Sequence, residues 1–82
     1  MTNLDLLKRF AIYPETTQRA NNLSCAAGIL YSYAEPIARY KEGVFTVSRK
    51  KWSVTTTRHV NTLLGILAQQ GKTYIITQER LI

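Results

Sequence analysis

Apolar positions recur along this chain in two different periods. From Val60 onward, Val60, Leu63, Leu64 and Leu67 return at helical spacing, and Ile66 widens the stripe, so the segment predicts an amphipathic helix. Thr55, Thr56 or Thr57 offers a side-chain oxygen to cap its start, a contribution of about 1 kcal/mol. Gly71 suits the left-handed residue just past its end. Gly65, in its middle, costs about 1 kcal/mol relative to alanine, which points to a close approach between this helix and a strand. A second, shorter helical pattern runs from Asn3 to Ile12. It sets Leu4, Leu7 and Phe10 on one side with Leu6 nearby, and starts near Thr2 or Asn3.

The rest of the pattern is extended. Gly28 to Tyr33 is rich in apolar and aromatic residues, and Ile37 to Tyr40 continues it after Pro36. Glu35–Pro36 therefore reads as a kink or bulge near a sheet edge, where a missing N–H is tolerated. Lys41-Glu42-Gly43 is a tight turn into the β-type run Val44 to Ser48, with Gly43 supplying the positive φ of a hairpin. Thr73 to Thr77 reads as a last strand. Tyr13 to Ser24 shows no sustained period and reads as a long connection containing one turn of helix. The expected fold is α+β in the order α–β–β–β–α–β: one domain over residues 1–82, with three to four mainly antiparallel strands, one main helix on one face and a short N-terminal helix. Tyr31 and Tyr33 share a strand face by alternation. Because the apolar helix needs a sheet to cover, they are expected in the core. On the opposite face they would form an aromatic platform like those that bind single-stranded RNA.

Charge changes the picture. The chain has 82 residues with 11 Lys and Arg against 5 Asp and Glu, a net charge of +6 and a pI near 9.8. A chain this short buries only about 60–65% of its unfolded surface, so self-repulsion matters and an anionic partner relieves it. From Gly43 to Gln78 there are Arg49, Lys50, Lys51, Arg58 and Lys72 but no carboxylate; Asp5, Glu15, Glu35, Glu42 and Glu79 all lie outside. Five cations each neutralising one duplex phosphate give a log–log salt slope near roughly −4.5. N–H groups at a helix start near Thr55 to Arg58 would add to the anion site. Trp52 sits among these cations, either stacked on an unpaired base or filling the core. His59 could donate to a phosphate or titrate, but satisfying a nearby carbonyl is the expected role. A solvated basic turn is the bland alternative for the whole cluster.

Other chemistries are poorly supported. Cys25 is the only cysteine, which excludes an internal disulfide and favours a reducing compartment. With one His and one Cys more than thirty positions apart there is no zinc motif, and nothing calls for a cofactor. Ser53 and His59 stand in a stretch without carboxylates, and Glu35 and Glu42 lack a third acid, so neither a nucleophilic nor a metal-dependent enzyme is expected. The start MTNLDLLKRF resembles neither a signal peptide nor a membrane span. The expectation is a soluble cytoplasmic protein.

Tyr31-Ser32-Tyr33, Pro36-Ile37-Ala38, then Ser53, Thr55-Thr56 and Arg58-His59-Val60-Asn61 resemble a pattern of small phage- and mobile-element-encoded domains of uncharacterised function. In these a "YSYxxPIA" strand precedes an "SxTTxRHxN" helix start. The match runs from Ile29 to Leu64, with Met1 to Ala27 outside it, and implies a nucleic-acid or counter-defence role. Two functions stand open. One is a non-enzymatic nucleic-acid-binding module using Arg49, Lys50, Lys51, Trp52, Arg58, His59 and Lys72. The other is a viral inhibitor or adaptor of anti-CRISPR or anti-restriction type, docking the same residues on an acidic surface of a host defence complex. An edge strand near Pro36, or the strand Thr73 to Thr77, allows a homodimer.

Overall fold

The computed structural model describes residues 1–81. In chain order the elements are α1 (Asn3–Ile12), β1 (Gln18–Arg19), β2 (Leu23–Ala26), β3 (Ile29–Ser32), β4 (Glu35–Lys41), β5 (Val44–Ser48), α2 (Val54–Gln69) and β6 (Tyr74–Thr77). The α+β class and both helices match expectation. The sheet has six strands rather than three to four, in the spatial order β1-β2-β3-β4-β5-β6. β1 to β5 form an antiparallel meander, and α2 crosses over to lay β6 parallel to β5. β1 and the first half of β2 occupy the stretch from Tyr13 to Ser24 expected to be a connection, and β2 runs on to Ala26. Leu23 and Cys25 alternate inward there, but so short a run becomes a strand only because it pairs with β3 across a two-residue turn.

Turn chemistry sets the hairpins. Ala27–Gly28 joins β2 to β3 with φ of 53° and 82°, and Glu42–Gly43 joins β4 to β5 with 52° and 83°; two consecutive left-handed residues match the right-handed strand twist. Gly28 is fixed twice over, since a Cβ there would lie 2.9 Å from the Tyr40 carbonyl oxygen. Opposite Leu30 the register slips: Leu30 faces Ala38 while Tyr31 faces Pro36. Ile37 is thus the extra residue of a bulge, and both Ile37 and Ala38 are fully buried. The bulge expected near Pro36 is present, but in a central strand rather than near an edge; it also accommodates the N–H that proline lacks.

Thr2 caps α1 in a reciprocal box with Asp5: Asp5 N–H donates to Thr2 Oγ1 at 3.1 Å and Thr2 N–H donates to Asp5 Oδ2 at 3.3 Å. The buried side of α1 is Leu6, Leu7, Phe10 and Ala11, while Leu4 is half exposed. The cap of α2 is Ser53, not one of the threonines; its Oγ accepts from Thr56 N–H at 3.3 Å. Val60, Leu63, Ile66 and Leu67 are buried as the periodicity requires, and Gly71 takes φ +67° beyond the end. Gly65 contradicts its reading: it is exposed, and a Cβ there would meet nothing within 4 Å.

Both helices cover one face of the sheet. α1 packs on α2 and β2, and α2 packs on β5; a single apolar cluster joins them to Leu23, Leu30, Phe45 and Val47, with Phe10 edge-on to Phe45 at 5.5 Å. Alternation then assigns the other face, which neither helix covers. Leu30 points into the core, so Tyr31 points away from it, and the row Ile29, Arg39, Thr46 and Ile75 runs across four strands on the open side. Tyr31 is therefore not a core residue, and Tyr33, at φ +58° in the β3–β4 turn, is 60% exposed. The expectation that the helices would cover these tyrosines is overturned. After β6 the chain folds back over the sheet, where Ser48 Oγ donates to Glu79 O at 2.8 Å and Arg80 reaches Glu35 at 3.3 Å. Among the described residues no helix is long and apolar enough to cross a membrane.

Candidate nucleic-acid interface

The β5–α2 connection is held at both ends. Arg49 N–H donates to Thr77 O at 2.7 Å, extending the β5–β6 ladder by one residue. Trp52 Nε1 donates to Ser48 O at 2.9 Å, and the cap at Ser53 starts the helix. Arg49, Lys51 and Arg58 are exposed, while Lys50 lies over the Trp52 ring with Nζ 4.6 Å from its centroid, a cation–π contact worth about 0.5–1 kcal/mol. Four cations therefore gather on a braced loop and the first turns of α2. That first turn contains no acidic residue, although a carboxylate there is favoured by about 0.3–1 kcal/mol. Its orphan N–H groups and the flanking cations bear the same sign, a local conflict that an incoming anion resolves. Among the described residues the only ion pair is Arg80–Glu35, so no described carboxylate pairs with the cluster.

The remaining sequence candidates separate from it. Trp52 is half-buried against the core, with one face under Lys50 and its N–H in use. Lys72 lies beyond the other end of α2; it comes two residues before Tyr74, the β6 partner of Phe45, whereas Arg49 follows Ser48, the β5 partner of Thr77. Six residues of strand separate the two levels, about 20 Å.

His59 turns inward and is 8% exposed. Its Nδ1 lies 3.0 Å from Ser32 Oγ, which is 3.0 Å from Thr56 Oγ1. The partner is thus a buried hydroxyl on β3 rather than a carbonyl. Burial pushes the His59 pKa below its ordinary value, and the neutral ring completes the set when Thr56 donates to Ser32 and Ser32 donates to Nδ1. Twenty-seven residues separate Ser32 from His59, and only the β3–α2 packing brings them together. Ser32 is fully buried, so the trio pins the start of α2 to the sheet and holds the basic loop in place.

The open sheet face carries Tyr31, which the sequence reading expected in the core, beside residues that reading left unassigned. Arg19, Ser24 and Tyr31 lie side by side across β1, β2 and β3 and line a shallow depression of about 350 Å³ with Thr17 and Ala26. Arg39 occupies the neighbouring row, and its Nε is buried without a hydrogen-bond partner. Strand alternation was the available signal, but it needed to be known which face the helices cover. Cys25 is 1% exposed and donates from Sγ to Thr16 O at 3.2 Å; burial raises its pKa.

The chain belongs to a family of unknown function, DUF8033, whose model matches residues 6–80. That span takes in most of α1 together with β1 and β2, well beyond the Ile29 to Leu64 stretch bearing the motif. No curated protein and no solved structure matches the chain.

Proposed function

We propose that this protein binds nucleic acid without catalysing a reaction, contacting phosphates with Arg49, Lys50, Lys51 and Arg58 around the start of α2. The observation that carries this is the set of four cations, none of them ion-paired with a described carboxylate, on a loop braced by Ser48, Thr77 and the Ser32–Thr56–His59 trio and on the first turns of α2. Burial of His59 and the distance of Lys72 leave both outside the contact set. Four phosphates then set a salt slope near roughly −3.6 for a duplex, at about −0.9 each. The decisive experiment is fluorescence anisotropy of labelled single-stranded and duplex DNA and RNA over a salt series, comparing the native chain with Arg49→Ala/Lys51→Ala/Arg58→Ala. This triple variant keeps Lys50 on Trp52. Its expected effect is a large loss of affinity, with a slope shallower by roughly 2.7 units from the three removed charges. An unchanged slope overturns the assignment.

The uncovered sheet face favours a second reading, in which the preferred ligand is single-stranded. Tyr31 would stack on a base, a contact worth about 1–3 kcal/mol, while Arg19 and Arg39 contact the backbone. Tyr31→Ala then weakens single-strand binding and leaves duplex binding unchanged. If no nucleic acid binds even at low salt, the same cations point to an acidic protein surface, the adaptor or counter-defence role suggested by the resemblance to phage- and mobile-element-encoded domains.

A further inference from the structure

We propose that the free edge of β6 is a self-association surface through which two copies of this chain pair antiparallel, joining their sheets into one.

The edge is unusually unguarded. Natural sheets blunt an exposed edge with charge, proline, a bulge or a covering segment. The opposite edge, β1, is only two residues long and carries Arg19, and Gln18 is engaged there by Arg9 Nε at 2.9 Å. β6 has none of these devices. From Thr73 to Gln78 the chain reads Thr-Tyr-Ile-Ile-Thr-Gln, without charge or proline in a molecule of net charge +6. Ile75 and Ile76, on opposite faces of the strand, are 56% and 47% exposed. The tail that follows turns inward, placing Glu79 against Ser48 and Arg80 against Glu35, and so leaves the edge open.

Hydrogen bonding shows what the edge offers. Thr73 O accepts from Phe45 N–H at 3.0 Å, and Thr77 O accepts from Arg49 N–H at 2.7 Å. In a parallel ladder alternate residues face one neighbour, so Thr73, Ile75 and Thr77 face β5 while Tyr74 and Ile76 turn their N–H and C=O outward. That set is complementary to itself. A two-fold axis at Ile75 makes Tyr74 of one copy and Ile76 of the other a hydrogen-bonded pair, twice over. The two Ile75 side chains then meet on the open face, and each Ile76 meets the Tyr74 of the other copy on the helix side. A second copy is the occupant because one uncharged segment supplies both halves of the ladder. The same symmetry keeps the basic loops apart: each lies about 10 Å past the axis along its strand, in opposite directions.

The experiment is sedimentation velocity across a wide dilution series, with hydrogen exchange read at individual amides. The expected result is a reversible shift toward twice the 9.4 kDa chain mass, with the Tyr74 and Ile76 amides becoming protected as concentration rises. Ile76→Pro removes an outward N–H without touching a β5–β6 bond, and Ile75→Lys places like charges opposite each other across the axis. Both variants should remain monomeric at concentrations where the native chain is dimeric, with the circular dichroism of the folded monomer. A native chain that stays monomeric throughout, or a dimer that survives both variants, overturns the proposal. Nucleic-acid binding is measured separately and can fail without affecting this result.

Discussion

His59 stands next to Arg58 in the sequence, yet it works as a neutral group in the core. Its pKa is lowered by burial, whereas in the unfolded chain it titrates near the ordinary 6.5. Below that value the unfolded state takes up a proton that the folded state resists, so stability falls with pH, by at most about 1.4 kcal/mol per pH unit from one such group. Urea denaturation between about pH 7.5 and about pH 5.5 should show this loss, and His59→Asn, which keeps a hydrogen-bonding atom near Nδ1 but cannot titrate, should flatten it. Asp5 shifts in the same direction for a different reason: its hydrogen bonds with Thr2 favour the carboxylate and lower its pKa, so its contribution is also lost as pH falls, but only in more acidic solution, outside this window. Two glycines form a sharper residue-scale contrast. Gly65→Ala adds a methyl group in open space on α2 and should stabilise by about 1 kcal/mol, raising Tm by about 4–8 °C in a domain this size. Gly28→Ala should lower Tm instead, because φ +82° and the Tyr40 carbonyl at 2.9 Å both oppose a Cβ. Differential scanning calorimetry of the two variants tests both signs.

At the scale of elements, the start of α2 is where sequence and structure diverge most usefully. Three threonines compete for the cap, but the first residue able to accept from an N–H two or three positions on is Ser53, and the loop is anchored there by Trp52. Ser53→Ala should cost about 1 kcal/mol, while exposed Thr55→Ala should stay within about 0.5 kcal/mol; chemical denaturation of the pair separates the two caps. α1 and α2 were legible because an apolar stripe and a cap are local signals. β4 and β5 were legible because a Glu-Gly turn is local too. β1 and β2 were not, since four residues such as Leu23-Ser24-Cys25-Ala26 carry almost no period and owe their extended form to β3. For the same reason the site was only half visible. The run Arg49-Lys50-Lys51 can be read from the chain, but the Ser32–His59 bond and the exposure of Tyr31 depend on which face the helices cover. Lys72 looked like part of the cluster because a helix folds distance in sequence into distance in space, and α2 carries it to the other end.

At the scale of the whole molecule, the balance of charge sets stability against function. Of eleven Lys and Arg side chains, Arg80 alone is ion-paired among the described residues, so in dilute salt the fold carries the mutual repulsion of cations without a described carboxylate partner. Screening shortens that repulsion, with a Debye length of about 30 Å at 0.01 M falling to about 10 Å at 0.1 M. Thermal stability should therefore rise as salt is added, the opposite of a protein held together by surface ion pairs. Arg49→Ala/Lys51→Ala lowers the net charge from +6 to +4 (6 − 2) and takes two exposed cations from the positive end of α2. Like charges at close spacing oppose each other by about 0.2–0.5 kcal/mol per pair, and the helix dipole adds to this. The double variant should thus unfold at higher temperature than the native chain in dilute buffer, and the difference should shrink in concentrated salt. If the variant is instead less stable at low salt, these side chains contribute packing or hydrogen bonds that outweigh their repulsion. A gain in stability paired with a loss of polyanion affinity is the signature of cations kept for a partner, because the partner supplies the neutralisation that the isolated fold lacks.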